Sequence, residues 1–356
     1  MASTRRDIVF GAAALGMVPP AGRSARAEGV LEPTLLIRTT GGAFEAALKR
    51  NFFDPFSKAS GVRVVPFAAS YGDMMAKSAA MQAAGSVEWD IISPQYDELT
   101  QISQYLTDLG DCAAMPNVAR DGVTGTCGRY GVLYLTGAQP LTWNTDIIKG
   151  RAPRSWADFF DTKAFPGRRA LPNTGSPWAT LVMALLADGV PREKLFPLDL
   201  DRAFRKLDTI KADVAVWWKT GDQSVKMWTQ DEIAMSMMFG GTAYAARRRG
   251  EPIAYTYNQA VADFGAWAIL KGAPHPNAAR AFIDFYMTQP EAHARFAHEM
   301  GYTTSNAAAG AMLDPADRDD LLSTPAKLAS VIRIDYDWLA AHRSAVINQF
   351  QSWVSS

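Results

Sequence analysis

Past residue 30, short apolar runs alternate with stretches whose apolar positions recur every three to four residues. Thr34–Thr39 reads as a strand, stopped by Gly41-Gly42. The segment behind it sets Phe44, Leu48, Phe52 and Phe56 four apart, which lines one face of a helix. Residues 62–67 predict a second strand and Tyr71–Ala84 a Met- and Ala-rich helix closed by Gly85. A third strand follows over 89–93 and a third helix over 96–105. Strand and helix alternating in units of about thirty residues indicate a parallel α/β sheet.

A second unit follows. Gly131–Thr136 is strand-like and ends at Gly137. Ser155 caps a helix through Phe160, residues 169–171 suggest a strand, and Trp178–Ala187 reads as a buried helix. A helix over 200–210 and strands over 213–218, 233–238, 252–257 and 265–270 continue the pattern. The last ninety or so residues are mainly helical, over 276–287, 290–299, 315–322 and 336–354. The expected architecture is two α/β lobes with helices packed at the C-terminal end.

Composition adds the compartment. Of 356 residues, 48% are hydrophobic, and 36 basic side chains balance 36 acidic ones. Without a basic excess to neutralise phosphates, nucleic acid is excluded as a partner. Residues 1–27 read as an export signal: Arg5-Arg6, an apolar run from Ile8 to Val18, then Ala25-Arg26-Ala27. The run is shorter than the ~20 residues a membrane span needs. Thr4-Arg5-Arg6-Asp7-Ile8-Val9-Phe10 resembles the twin-arginine signal, with a general secretory signal as the alternative. Removing four Arg and one Asp leaves 356 − 27 = 329 residues with 32 basic and 35 acidic side chains, a net charge of −3. A mildly acidic periplasmic protein is expected. Its two cysteines, Cys112 and Cys127, are expected to close one loop there.

Catalytic chemistry is hard to find. The four histidines (275, 293, 298 and 342) read as surface residues, and His293 and His298 are spaced wrongly for a helical zinc pair. Pro177 spoils Gly175-Ser176-Pro177 as a nucleophile turn, and Asp231-Glu232 reads as a solvated turn. No cofactor or metal is implied. What recurs instead are small and hydroxyl residues at strand ends. They are Thr40 with Gly41-Gly42, Ser70-Tyr71, Ser93 near Tyr96, Thr136, Ser176, and Gly241-Thr242. In open α/β sheets ligands sit outside the carboxyl ends of strands, where helix N–H groups can receive an anion.

Longer blocks carry a family resemblance. Ala83-Ala84-Gly85 with Trp89-Asp90 is one, and Pro153-x-Ser-Trp-Ala-Asp158 through Pro166-Gly167-Arg168 is another. A third runs through Tyr257-Asn258-Gln259, Trp267 to Pro274, Ala278-Ala279 and Phe282-Ile-Asp-Phe285, then Pro290-Glu291, Gly301-Tyr302 and Asn306. In this order they resemble the extracytoplasmic solute-binding proteins of ABC transporters, in the spermidine/putrescine-binding-like branch, over essentially the whole mature chain. The resemblance implies the type II periplasmic-binding-protein fold, with a ligand cleft between lobes joined by two crossover strands. Lobe 1 would comprise 28–137 plus 262–356, including the C-terminal helices, and lobe 2 would be 138–261. A monomer would close on a small molecule and deliver it to the permease subunits in the membrane.

An amine ligand needs carboxylates at each ammonium and aromatic faces along its stem. Polyamine binders carry Glu-Gly where this chain has Gln259-Ala260, which leaves Asp263 as the candidate carboxylate. Trp217, Tyr71, Tyr96 and Tyr302 are the candidate walls. A polyamine, a monoamine, an amino-acid-like zwitterion, and an organic acid held by Gly41-Gly42 all remain open. An exported enzyme on a related scaffold is the alternative, and an iron site would require converging tyrosines such as Tyr255 and Tyr257.

Overall fold

The computed structural model describes residues 30–230 and 233–356. The expected export signal and the Asp231-Glu232 pair lie outside the described residues. Two sheets organise the rest. The first contains β1 (Thr34–Thr39), β2 (Arg63–Ala68), β3 (Ile91–Ile92), β4 (Cys127–Gly128) and β5 (Gly131–Thr136), joined by β11 (Gly265–Ile269) and β12 (Thr303–Thr304). The second contains β6 (Ala138–Asn144), β7 (Arg168–Pro172), β8 (Val214–Trp218), β9 (Ile233–Met237) and β10 (Ile253–Ala262). The strand orders are β12-β5-β11-β3-β1-β2, with β4 paired to β5, and β10-β6-β9-β7-β8. β1 runs parallel to β2 and β3, and β7 parallel to β8 and β9, whereas β5, β6, β10 and β11 pair antiparallel. Among the described residues no helix is long and apolar enough to cross a membrane.

The helical face anticipated from Phe44 to Phe56 forms with a wide turn inside it. Gly42–Leu48 and Asp54–Ser60 flank a π turn at Lys49–Phe53. Pro55 cannot donate to the preceding turn, and the extra residue there lets both Phe52 and Phe53 bury. The stretch 96–105 is broken into 3-10 and α pieces, with only Leu99–Ile102 α-helical. His293 corrects the surface expectation. It is buried between Phe52 and Tyr286, its Nε2 lies 2.7 Å from the Tyr286 carbonyl, and burial pushes its pKa down to about 3. A neutral ring costs less to bury than an imidazolium.

The chain passes between the sheets at Gly137 and again at Asp263, and the two passages touch, with the Asp263 N–H donating to the Gly137 carbonyl at 3.0 Å. The strand Ala138–Asn144 escaped the sequence reading because Pro140 sits inside it. Its pairing with β10 shifts register between Thr256 and Val261, and Pro140 falls at that irregularity, where no regular ladder bond is required. A third segment, residues 331–334, runs alongside: Ile332 exchanges backbone bonds with Ala260 and Ala262. It leads to the C-terminal helix, Tyr336–Ser355. That helix was expected beside the first lobe, but its buried Leu339, Val346 and Phe350 join the core of the second sheet with Leu141, Leu171 and Leu181. Cys112 and Cys127 are bonded, with Cα atoms 6.1 Å apart.

Candidate ligand cleft

Between the sheets, beside the passages, lies a cavity of ≈360 Å³. Small-molecule sites span ~300–1,000 Å³. Thr40 and Phe44 enter it after β1, Tyr71 after β2 and Gln95 after β3, while Tyr134 and Leu135 come from β5. Gly221 and Phe239 enter from the second sheet, past the carboxyl ends of β8 and β9. Asp263, Phe264 and Gly265 are the passage itself, and Tyr302 follows the helix Pro290–Met300.

Asp263 is the charged centre. Burial, and then the charge of Asp97, push its pKa up to about 7. Among the described residues no hydrogen bond or ion pair reaches its carboxylate. A carboxylate held in an aromatic-rich cavity without a counter-charge is set to receive a cation. The phenols around it stay protonated. Burial raises Tyr71 to about 12, with Arg38 pulling it back, and raises Tyr134 and Tyr302 as well.

Beneath Tyr71 lies Arg38, fully buried and missed by the sequence reading. Its Nε donates to the Ala69 carbonyl at 3.0 Å and its Nη1 to the Ser93 carbonyl and hydroxyl at 3.1 Å. The guanidinium stacks 4.6 Å from the Tyr71 ring centre. The signal was present in Leu-Leu-Ile-Arg-Thr, where one charge interrupts an inward-facing strand.

Tyr302 closes one side. A Cβ on Gly241 would come within 2.2 Å of its ring, so only glycine permits this approach. Thr242 stands near enough to the phenol to counter, in part, the upward effect of burial. Three helices begin at the rim, at Gly42, Gly221 and Gly240. The N-cap residues Gly41 (φ 77°) and Phe239 make no side-chain capping bond, which leaves first-turn N–H groups for an anion.

Of the residues singled out from the sequence, Thr40, Tyr71, Asp263 and Tyr302 line the cavity, and Gly41, Gly42, Gly241 and Thr242 adjoin it. Ser70 caps the helix Tyr71–Ala84, accepting from the Asp73 N–H at 3.0 Å. Thr136 is buried against Thr303, hydroxyl to hydroxyl at 2.8 Å. Ser176 lies in the turn before Trp178 and does not line the cavity. Tyr96 packs on Tyr336 at 5.1 Å beside a neighbouring hollow with Tyr130. Trp217 packs edge-on against Phe350 and Trp353 of the C-terminal helix. Phe44, Gln95, Tyr134 and Phe239 were not anticipated, since single aromatics in apolar runs are indistinguishable from core and a glutamine after a proline reads as a turn.

Gln259 faces elsewhere. Its backbone is left-handed (φ 60°), its Oε1 accepts from the Trp156 N–H at 3.1 Å, and its carbonyl accepts from the Trp156 indole at 2.8 Å. Glutamine at this position therefore holds a helix start and carries no information about ligand charge. Tyr255 and Tyr257 lie edge to face at 5.7 Å outside the cavity lining. Among the described residues one group could chelate a metal, His298, Asp314 and Asp317. The Arg248 guanidinium already lies 3.1 Å from the same imidazole and 3.4 Å from the Asp317 carboxylate.

Comparison with known proteins agrees with this architecture. A gamma-aminobutyric acid-binding protein of Pseudomonas aeruginosa is 31% identical over 328 residues, 90% of this chain and 91% of its own. The spermidine/putrescine-binding periplasmic protein of Escherichia coli is 26% identical over 193 residues, 54% of each chain. An ABC transporter substrate-binding protein from Bradyrhizobium japonicum superposes with a TM-score of 0.82 at 31% identity, covering 90% of this chain and 99% of that one. The family model for bacterial extracellular solute-binding proteins matches residues 51–323, and the chain belongs to that family.

Proposed function

We propose that this protein is the periplasmic substrate-binding component of an ABC uptake transporter and that its cargo is a small amino-acid-like zwitterion. The observation that carries the reading is Asp263, a cleft carboxylate without a protein partner, ringed by Tyr71, Tyr134, Phe239 and Tyr302. The ammonium of the solute would sit on Asp263 against aromatic faces, and its carboxylate would meet the rim N–H groups. A diamine would instead need a second carboxylate in the lining, whereas Asp97 is taken by Arg343 at 2.8 Å and Glu98, which accepts from the Gln95 N–H at 2.9 Å, stands outside it. The relative named for gamma-aminobutyric acid matches this chain along nearly its whole length, and the polyamine binder along about half. The family and these relatives are binders, so the enzyme alternative is dropped.

Residues up to 137 with the return from 262 would form one lobe and 138–261 the other, the last helix riding on the second. The lobes would close on the ligand, and the closed monomer would dock on the permease after export through the signal at 1–27, by the twin-arginine route. Calorimetry and thermal shift on the mature protein with 4-aminobutyrate, putrescine, spermidine and succinate test the cargo. A ligand at a hundredfold excess over its Kd adds ~2.7 kcal/mol. Tighter binding of putrescine or spermidine would overturn the zwitterion, and binding of succinate alone would overturn the role of Asp263.

A further inference from the structure

The C-terminal helix touches both halves of the molecule, and unequally. On the second sheet it seats Leu339, Val346 and Phe350 in an apolar core, with Trp338 edge-on to Phe196 and Trp353 against Phe204. On the first half it meets chiefly the segment after β3. Tyr336 packs on Tyr96, and Arg343 Nη1 donates to the Asp97 carboxylate at 2.8 Å. The Gln101 amide oxygen, turned toward the same guanidinium, accepts from Nε and Nη1 at 3.1 Å. The other face of that guanidinium lies 4.4 Å from the ring of Trp178, the first residue of a second-sheet helix. Arg343 thus takes its aromatic partner from one half and its carboxylate from the other. Both ends of the ion pair are largely buried, with 16% and 8% of the side chains exposed.

When the halves separate, the helix cannot keep both seats. The apolar seat involves many fully buried side chains, while the polar seam is one guanidinium and one tyrosine pair whose charges recover hydration on parting, so the seam parts first. On parting, Asp97 and Arg343 both regain water, and on closing they regain each other.

We propose that the Asp97–Arg343 pair is a closure latch: it forms only when the halves are together and sets ligand affinity without touching ligand. This rests on the reading of the cavity as a hinge-closing solute site. A latch contributes through the fraction of protein that is competent to close, so every ligand gains by the same factor. A residue that touches ligand would favour some ligands over others.

The test is calorimetry at pH 8, where Asp263 is largely ionised with or without the Asp97 charge, on mature protein with 4-aminobutyrate and 5-aminopentanoate as probes, using Arg343→Met, Asp97→Asn and the double variant. Solution scattering of each ligand-free protein accompanies it. Each single variant is expected to weaken both probes equally, by ~tenfold or more. The double variant should be no weaker than the worse single, and the ligand-free radius of gyration should rise. Unchanged affinity in variants that melt like the parent overturns the latch, and so does unequal loss between the probes. If Arg343→Met does not fold, Arg343→Lys keeps the charge while losing the planar stack on Trp178, and the same equal loss is expected. If the parent binds neither probe, the cargo reading has failed, and the radius of gyration alone decides the latch.

Discussion

Asp263 makes ligand binding a proton-coupled event. In the empty cleft its pKa stands at about 7, raised by burial first and by Asp97 second. A docked ammonium favours the charged form, so binding below neutrality expels a proton. With that value the ionised fraction is about 90% at pH 8 and about 3% at pH 5.5, so affinity for an amine-bearing ligand should fall ~30-fold between them. Calorimetry in buffers of different ionisation enthalpy at pH 6 reads the released proton directly. Glu98, pushed up to about 7 mainly by burial, titrates in the same range, and Asp263→Asn separates the two. That variant should lose most affinity, and any residual binding should be flat with pH. The sign for stability runs the other way: a carboxyl whose pKa is raised on folding favours the fold at low pH. This contribution is lost as pH climbs from about 4 to 7, so ligand-free Asp263→Asn should melt above the parent at pH 8. Affinity independent of pH, with no proton released, refutes the argument.

Gly241→Ala should cost at least ~tenfold in affinity with little change in melting, because its Cβ meets the Tyr302 ring at 2.2 Å and opposes the contact between the two sides of the cleft. Retained affinity by calorimetry would mean that closure does not need this contact. Replacing both Cys112 and Cys127 by Ser opens a loop with a sequence separation of 15, which is worth ~3 kcal/mol by chain entropy and on the order of 5 °C in a melt of a chain this long. An unchanged Tm, with or without reductant, would put the loop's order in its packing alone.

The fold was more legible than the cargo, and the contacts of the recognised blocks explain why. Asp90, from the Trp-Asp block, accepts from the backbone of Leu36 and His275 at 2.8 Å, tying β1 to the chain just after Pro274. Asn258 and Gln259 hold Arg154 and Trp156, so the Tyr-Asn-Gln block and the Pro-x-Ser-Trp block are two sides of one joint. Asn306 donates to the Met287 carbonyl at 2.6 Å and accepts from Ala308 and Ala309. These residues fasten segments far apart in sequence. Their chemistry is that of the frame, and none of them lines the cavity. Beside Thr40, Tyr71, Asp263 and Tyr302, the cavity is lined by Phe44, Gln95, Tyr134 and Phe239, each in an element whose pattern already accounts for it as core or turn. Asp263 was legible because it is the carboxylate nearest Gln259-Ala260, where the resemblance puts an acidic residue. Arg343 was not, because a basic residue on a long helix reads as solvated until its partner on a distant segment is known. A sequence thus discloses a frame through residues that bind each other, and it hides a site whose residues converge only after the frame has formed.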